Sequence, residues 1–261
     1  MKQRSSFELI DELLALAEET ARRAGELLSK RPESFDINQK SSARDFATHM
    51  DHASEELIVE ALLAARPEDG IIGEEGANRE SKSGITWVID PIDGTVNYFY
   101  NLPGWNISIA AKDDDGVLVG VVFAPTLNSL WRASRGGGAF LNNRPIHVSN
   151  SDSLGDSLIA TGFSYDPETR VLQGKKIAEL IPKVRDIRRN GAAAVDLCHV
   201  ASGAVDGYFE SGLKEWDLAA GGLIAREAGA LVTGPGGAPA GEDMVIAAGP
   251  TLHPLLMGEI G

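Results

Sequence analysis

Cysteine is almost missing from this chain: its 261 residues contain one, Cys198, so no intrachain disulfide can form. That suits a reducing compartment. Cys198 reads as a small buried apolar residue on a helix rather than as a nucleophile. Long apolar runs are also lacking. Met1–Ser6 has none of the apolar character of a leader, and no stretch approaches the roughly 20 residues of a membrane span. The expected location is therefore the cytoplasm. Positive charge is scarce, with 24 Lys and Arg against 38 Asp and Glu, a net charge of −14. The densest basic group, Lys183, Arg185, Arg188 and Arg189, is too short to reverse that field. Nucleic acids and anionic membranes are thus not expected as partners. Apolar residues make up 43% of the chain, enough for a sizeable core in one large domain or two small ones.

A helix is expected from Ser5, which has capping-box spacing to Glu8, with Leu9, Leu13, Leu16, Leu27 and Leu28 as its apolar stripe and Pro32 as its stop. Lys40–Thr48 reads as a polar loop, and a second helix starts near Thr48, which has cap spacing to Asp51. After Gly70 the period changes. Ile71–Gly73 and Thr86–Asp90 are short, β-branched and apolar, with acidic residues at or just past their ends. Between Ile107 and Val148, strand candidates are divided by turn signals, as in an antiparallel sheet. Strands are then expected at Ser157–Thr161, Val205–Glu210 and Val245–Ala248, and helices at Pro167–Leu180, Ala192–Ser202 and Asp217–Ala228. Gly234–Gly241 is a Gly/Pro-rich surface loop. The order implies an α/β (α+β) layered sandwich. It reads as one functional unit over residues 1–261, in two halves of roughly 1–148 and 149–261 that share one site.

The densest chemical signal is Asp90-Pro91-Ile92-Asp93-Gly94-Thr95. Pro91 opposes regular structure, so a turn is expected where the strand ends, throwing both carboxylates one way. Two like charges so close repel unless a cation lies between them. Oxygen donors favour magnesium, manganese or calcium over zinc. Thr95 opens a short helix, whose first amides can receive an anion. The alternative is that Asp-Pro and Asp-Gly are merely turn formers. Likewise Gly73-Glu74-Glu75-Gly76 is either a ligand loop or an exposed acidic one. Asp217 is either a helix N-cap or a ligand whose second oxygen stays free.

Gly73-Glu74-Glu75, Trp87-Val88-Ile89-Asp90-Pro91-Ile92-Asp93-Gly94-Thr95-Val96-Asn97 and Glu215-Trp216-Asp217, followed by Gly221-Gly222 and Glu227-Ala228-Gly229, resemble the inositol monophosphatase family in order and spacing. Lys40 and Asp45-Phe46-Ala47-Thr48-His49-Met50-Asp51 are similar to an earlier block of that family. The resemblance implies the sugar-phosphatase fold shared with fructose-1,6-bisphosphatase, and Mg2+-dependent hydrolysis of a small polyol phosphate, inositol monophosphate first. It implies two or three Mg2+ ions held by Glu74, Asp90, the Ile92 carbonyl, Asp93 and Asp217. Phosphate would lie on the Gly94 and Thr95 amides, and Thr95, Asp51 and Glu74 would form the catalytic set. Thr95 is too weak a base alone, so its role with Asp51 is to orient the attacking water. Asp93, Gly191, Ala192, Ala193, Glu210 and Asp217 would meet the substrate. A homodimer and sensitivity to lithium are implied as well.

Gly191-Ala192-Ala193 departs from the family's usual Gly-Ser/Thr-Ala and removes a hydroxyl near the substrate. That leaves sister specificities open: fructose-1,6-bisphosphate, histidinol phosphate or a nucleotide bisphosphate. Glu210, which resembles the residue that contacts a ring hydroxyl in inositol phosphatases, favours inositol. A regulatory protein that keeps the fold is the alternative from another class; the retention of every ligand carboxylate and of Thr95 speaks against it. His49, beside Asp51, reads as solvated rather than as a ligand, and Tyr98-Phe99-Tyr100 as packing residues.

Overall fold

Residues 6–42 and 45–261 are described by a computed structural model. Helix α1 (Ser6–Ser29) leads into a hairpin of β1 (Ile37–Ser42) and β2 (Asp45–Thr48), followed by helix α2 (His49–Ala65). Strands β3 (Gly70–Gly73), β4 (Asn78–Arg79) and β5 (Thr86–Asp93) precede a short helix, α3 (Thr95–Phe99). A meander follows: β6 (Asn106–Asp113), β7 (Gly116–Ala124), β8 (Ser129–Ser134), β9 (Gly138–Leu141) and β10 (Arg144–Pro145). The second half contains β11 (Leu158–Thr161), α4 (Pro167–Leu180), β12 (Asp186–Arg188), α5 (Ala193–Ala201) and β13 (Gly207–Glu210). It closes with α6 (Glu215–Glu227), β14 (Leu231–Thr233), β15 (Val245–Ala248) and α7 (Leu252–Ile260). Among the described residues no helix is long and apolar enough to cross a membrane.

The strands form a mixed eight-stranded sheet, ordered β10-β9-β8-β7-β6-β5-β3-β4, and a five-stranded sheet, ordered β12-β11-β13-β15-β14. Helices α1 and α2 cover one face of the larger sheet, around Trp87, Ile89, Ile107 and Ile109. Helices α5 and α6 fill the space between the sheets, packing on Val122 and Trp131 from one side and on Tyr208 and Val245 from the other. Helix α7 lies on the far face of the smaller sheet and contacts α4. Helix and sheet layers therefore alternate, as the order of elements implies.

Four local expectations change. The buried line of α1 is mostly alanine, Leu13, Ala17, Ala21, Ala24 and Leu28, while Leu9, Leu16 and Leu27 lie half-buried at its edges. Small side chains let the helix approach the sheet closely: a methyl at Gly25 would collide with the Phe123 ring. Ser5, the expected cap, lies outside the described residues. The expected loop at Lys40–Thr48 belongs largely to the β1–β2 ribbon, whose pairing satisfies a backbone that has no alternating apolar face to announce it. Strand β5 does not turn at Pro91. It runs on to Asp93 through a bulge, since Asp90 pairs with Ser108 and Asp93 with Asn106. The extra residue leaves the missing Pro91 N–H without a ladder partner to disappoint. Lastly, α6 begins at Glu215, so Asp217 sits in its first turn rather than at its N-cap.

Candidate active site

Asp51, Asp90 and Asp217 are each held by a backbone group close to them in the chain, and Asp93 by groups far from it. The α2 cap is a capping box: Asp51 Oδ2 accepts the Thr48 N–H and hydroxyl, each at 2.7 Å, and Thr48 Oγ1 accepts the Met50 N–H at 3.1 Å. Asp51 is fully buried, and its Oδ1 accepts the Thr95 hydroxyl at 3.0 Å. The same hydroxyl lies 3.1 Å from the Ile92 carbonyl, so its one proton has two acceptors. Asp90 Oδ1 takes the Ile92 N–H at 3.0 Å, which holds the bulge of β5. Asp93 is gripped from three directions, by Asn106 Nδ2 at 2.7 Å and by the Ala193 and Ala194 N–H groups at 3.1 and 2.9 Å. The α5 N-terminus thus receives a carboxylate, as its dipole favours. Asp217 Oδ2 accepts the Lys214 N–H at 2.7 Å, and among the described residues its other oxygen accepts no hydrogen bond.

These constraints bring carboxylate oxygens of Asp90, Asp93 and Asp217 within 4.8 Å of one another. Glu74, just past β3, lies close enough to Asp90 to raise its carboxyl and meets Lys40 Nζ at 2.8 Å. Burial, then Glu74, Asp93 and Asp217, pushes the Asp90 carboxyl well above its ordinary range. Burial and then Asp93 do the same to Asp217. Burial raises Asp93 too, against the opposing pull of Asn106 and the α5 amides. Glu74 is raised by burial, with Lys40 pulling the other way. Among the described residues, Asp90, Asp93 and Asp217 form no ion pair with any lysine or arginine. Closely grouped oxygen donors with unbalanced negative charge fit hard divalent cations.

Beside them, Gly94 adopts φ +84, open to glycine, and a Cβ there would lie 3.1 Å from the Ala192 methyl and 3.2 Å from the Gly191 carbonyl. Gly94, Thr95, Gly191, Ala192, Ala193 and Glu210 all line one cleft of about 430 Å³ with the acidic group. Glu210 accepts the Tyr208 hydroxyl at 2.7 Å, and burial raises its carboxyl to about 7. One expectation narrows. The Ala193 N–H is taken by Asp93, so a substrate hydroxyl cannot use that donor without displacing it.

Three further residues support the site: Asn106 and Glu55 have no sequence motif, and Lys40 belongs to the earliest family-like block. Asn106 orients Asp93. Lys40 clamps Glu74 and Glu75, its charge sustained by them against burial. Buried Glu55 accepts the Glu75 and Ala77 N–H groups, each at 2.9 Å, and so shapes the turn after β3. A glutamate among the apolar positions of α2 was the available signal for this last one. Cys198 is buried on α5 as expected, and burial raises its thiol pKa. His49 accepts the Asp36 N–H at 3.2 Å. Tyr98 is buried and donates to the Leu28 carbonyl at 2.9 Å, whereas Tyr100 is exposed.

Residues 9–260 match the Inositol monophosphatase family over nearly their whole length. The chain belongs to that family. It is 44% identical over 225 residues to the Nus factor SuhB of Pasteurella multocida, a match covering 84% of each chain. Its fold superposes on the extragenic suppressor protein suhB of Bartonella henselae with a TM-score of 0.88 at 32% identity, covering 95% of this chain and 98% of that one. It also superposes on an IMPase of Thermotoga maritima with a TM-score of 0.87 at 32% identity, covering 94% and 95%. Membership of the inositol monophosphatase family accounts for the layer order and the four sequence blocks together. The acidic group lies where the second and third of those blocks converge, with Glu74 of the first beside it.

Proposed function

We propose that this protein is a magnesium-dependent phosphomonoesterase that hydrolyses a small polyol phosphate, with inositol monophosphate the first substrate to test. The supporting observation is the convergence of Asp90, Asp93 and Asp217 beside the Gly94–Thr95 turn. Glu74, Asp90, the Ile92 carbonyl, Asp93 and Asp217 would hold two or three Mg2+ ions. Bound magnesium would neutralise phosphoryl charge and make water nucleophilic at neutral pH. The Gly94 and Thr95 amides would receive phosphate. When Thr95 Oγ1 donates to Asp51, its lone pairs are free to accept a proton of the attacking water and so aim it. Asp51 holds that orientation because Thr48 fixes its other oxygen. Gly191, Ala192 and Glu210 would bound the alcohol portion, and Tyr208 fixes the Glu210 carboxylate. The proposal extends to a lithium-sensitive homodimer acting in the cytoplasm.

The test is phosphate release from a panel of polyol, sugar and nucleotide phosphates with and without magnesium. Among esters whose alcohol portion is uncharged, inositol monophosphate should be turned over within tenfold of the best, and rates orders of magnitude below another such ester would overturn the substrate choice. Thr95→Ala should lower kcat by roughly 100-fold, as expected for loss of a positioning group, while Thr95→Ser should keep most of it. Equal losses in both variants would remove the hydroxyl from the mechanism.

Relatives carrying the name Nus factor SuhB favour a second reading, a regulatory protein that retains the fold. Absence of magnesium-dependent release from every ester, by folded protein, would leave that reading standing.

A further inference from the structure

Three cationic side chains line the cleft: Lys40, Arg189 and Lys214. Two of them are engaged by carboxylates. Lys40 meets Glu74 and Glu75 at 2.8 and 2.6 Å, and Lys214 pairs with Glu242. Arg189 is different. Among the described residues, no carboxylate lies within ion-pair distance of its guanidinium, and it has no hydrogen-bond partner. Five donors in a rigid fork therefore stand open beside the acidic site.

The base of Arg189 is held firmly although its head is exposed. The next residue, Asn190, accepts Asn97 Nδ2 on its carbonyl at 2.8 Å and donates its own Nδ2 to buried Asp196 at 2.5 Å. Gly191 then adopts φ +88, and a Cβ there would collide with Arg189 Nη1, so the guanidinium lies against the Gly191 backbone. The Gly191 carbonyl in turn approaches Gly94, the proposed phosphate cradle. The charge of Arg189 also reaches Glu210 and Asp196, lowering the pKa of each against the larger effect of burial. The guanidinium thus shares the cleft with the cradle and Glu210 and lies against Gly191, which would bound the alcohol portion. A neutral polyol needs only acceptors and modest donors there, which Glu210 and the backbone supply. An uncommitted arginine fits an anionic group, by two parallel N–H···O bonds.

We infer that Arg189 selects substrates whose alcohol portion carries a second anionic group, so that the preferred ester has two anionic groups rather than the reacting phosphate alone. This rests on the phosphatase reading and narrows its substrate class. Phosphate and carboxylate share the required chemistry.

The test compares wild type, Arg189→Met and Arg189→Lys on two matched pairs. One pair is inositol 1,4-bisphosphate and inositol 1-phosphate; the other is 3-phosphoglycerate and glycerol 3-phosphate. For each pair, the ratio of kcat/KM and the ratio of calorimetric Kd are measured with magnesium and calcium respectively. Wild type should prefer the member with two anionic groups by about tenfold or more. Arg189→Met should bring that ratio close to one, and Arg189→Lys should keep part of it. Preference in the first pair alone identifies the second group as phosphate; preference in both identifies any fork of anionic oxygens. A ratio that Arg189→Met leaves unchanged, or equal losses for both members, would overturn the inference and make Arg189 a counter-charge for Glu210 and Asp196. Should no ester be hydrolysed, the phosphatase reading fails, and the Kd ratios still decide the role of Arg189.

Discussion

Asp90→Asn should abolish magnesium-dependent phosphate release, by roughly 100-fold or more in kcat/KM, while making the metal-free protein more stable at pH 7. Changing a residue that merely orients a metal ligand typically costs 10–100-fold, so loss of a ligand carboxylate should exceed that range. The stability gain has a separate origin. Asp90 is buried among Glu74, Asp93 and Asp217, all of like charge. An asparagine oxygen can keep the bond from the Ile92 N–H, and its amide can donate to Glu74 where two carboxyls now meet. Repulsion falls while the packing volume is kept. Asp93→Asn is a poorer test. Both Asp93 oxygens already accept N–H groups, so an amide nitrogen would face donors and destabilise the fold as well. Phosphate assays and urea unfolding in EDTA check the two halves. A variant that kept a tenth of wild-type turnover would end the metal-hydrolysis proposal.

The stabilisation conferred by magnesium should grow from pH 5.5 to pH 8. Burial raises the carboxyls of Asp90, Asp217, Asp93 and Glu74, and the first two go well above their ordinary range. Between the ordinary value near 4 and those raised values, the folded chain holds protons that the unfolded chain has released. Stability of the metal-free protein contributed by these groups therefore falls as pH rises through that window. Glu210, raised to about 7, acts in the same direction. Protons and cations compete for the same oxygens, so added magnesium has most repulsion to offset at high pH. His199 and His253, lowered chiefly by burial, act oppositely as pH falls through their ordinary value. They remain the same with and without metal, so the difference in Tm between magnesium and EDTA cancels them. A difference that is flat or shrinking toward pH 8 would contradict this account.

Much of the site was legible along the chain because its placing forces are local. Thr48 and Asp51 announce a cap that spans three residues, and Asp90 reaches only as far as the Ile92 N–H. Gly94 is dictated by a left-handed φ and by the close approach of Gly191. The strand beyond Pro91 was not legible, since whether proline ends a strand depends on its partner. Here β6 accommodates it through a bulge. Strands β12 and β14 and helix α7 likewise lacked a pattern of their own. Three-residue strands at or near a sheet edge take their conformation from the neighbour they pair with.

Local composition and spacing specified the Thr48 cap of α2, the antiparallel meander and the acidic residue types suited to a hard cation. Those signals act over a few residues, through steric limits on the backbone and the alternation of side chains. Which distant groups meet was settled by packing alone. Thr95 reaches Asp51 from 44 positions away, Asp93 receives amides 100 and 101 positions on, and Asn190 ties α3 to α5. The open guanidinium of Arg189 belongs to the same category. A long side chain finds or lacks a partner according to the layers around it, and those layers are held by apolar burial spread over the whole chain.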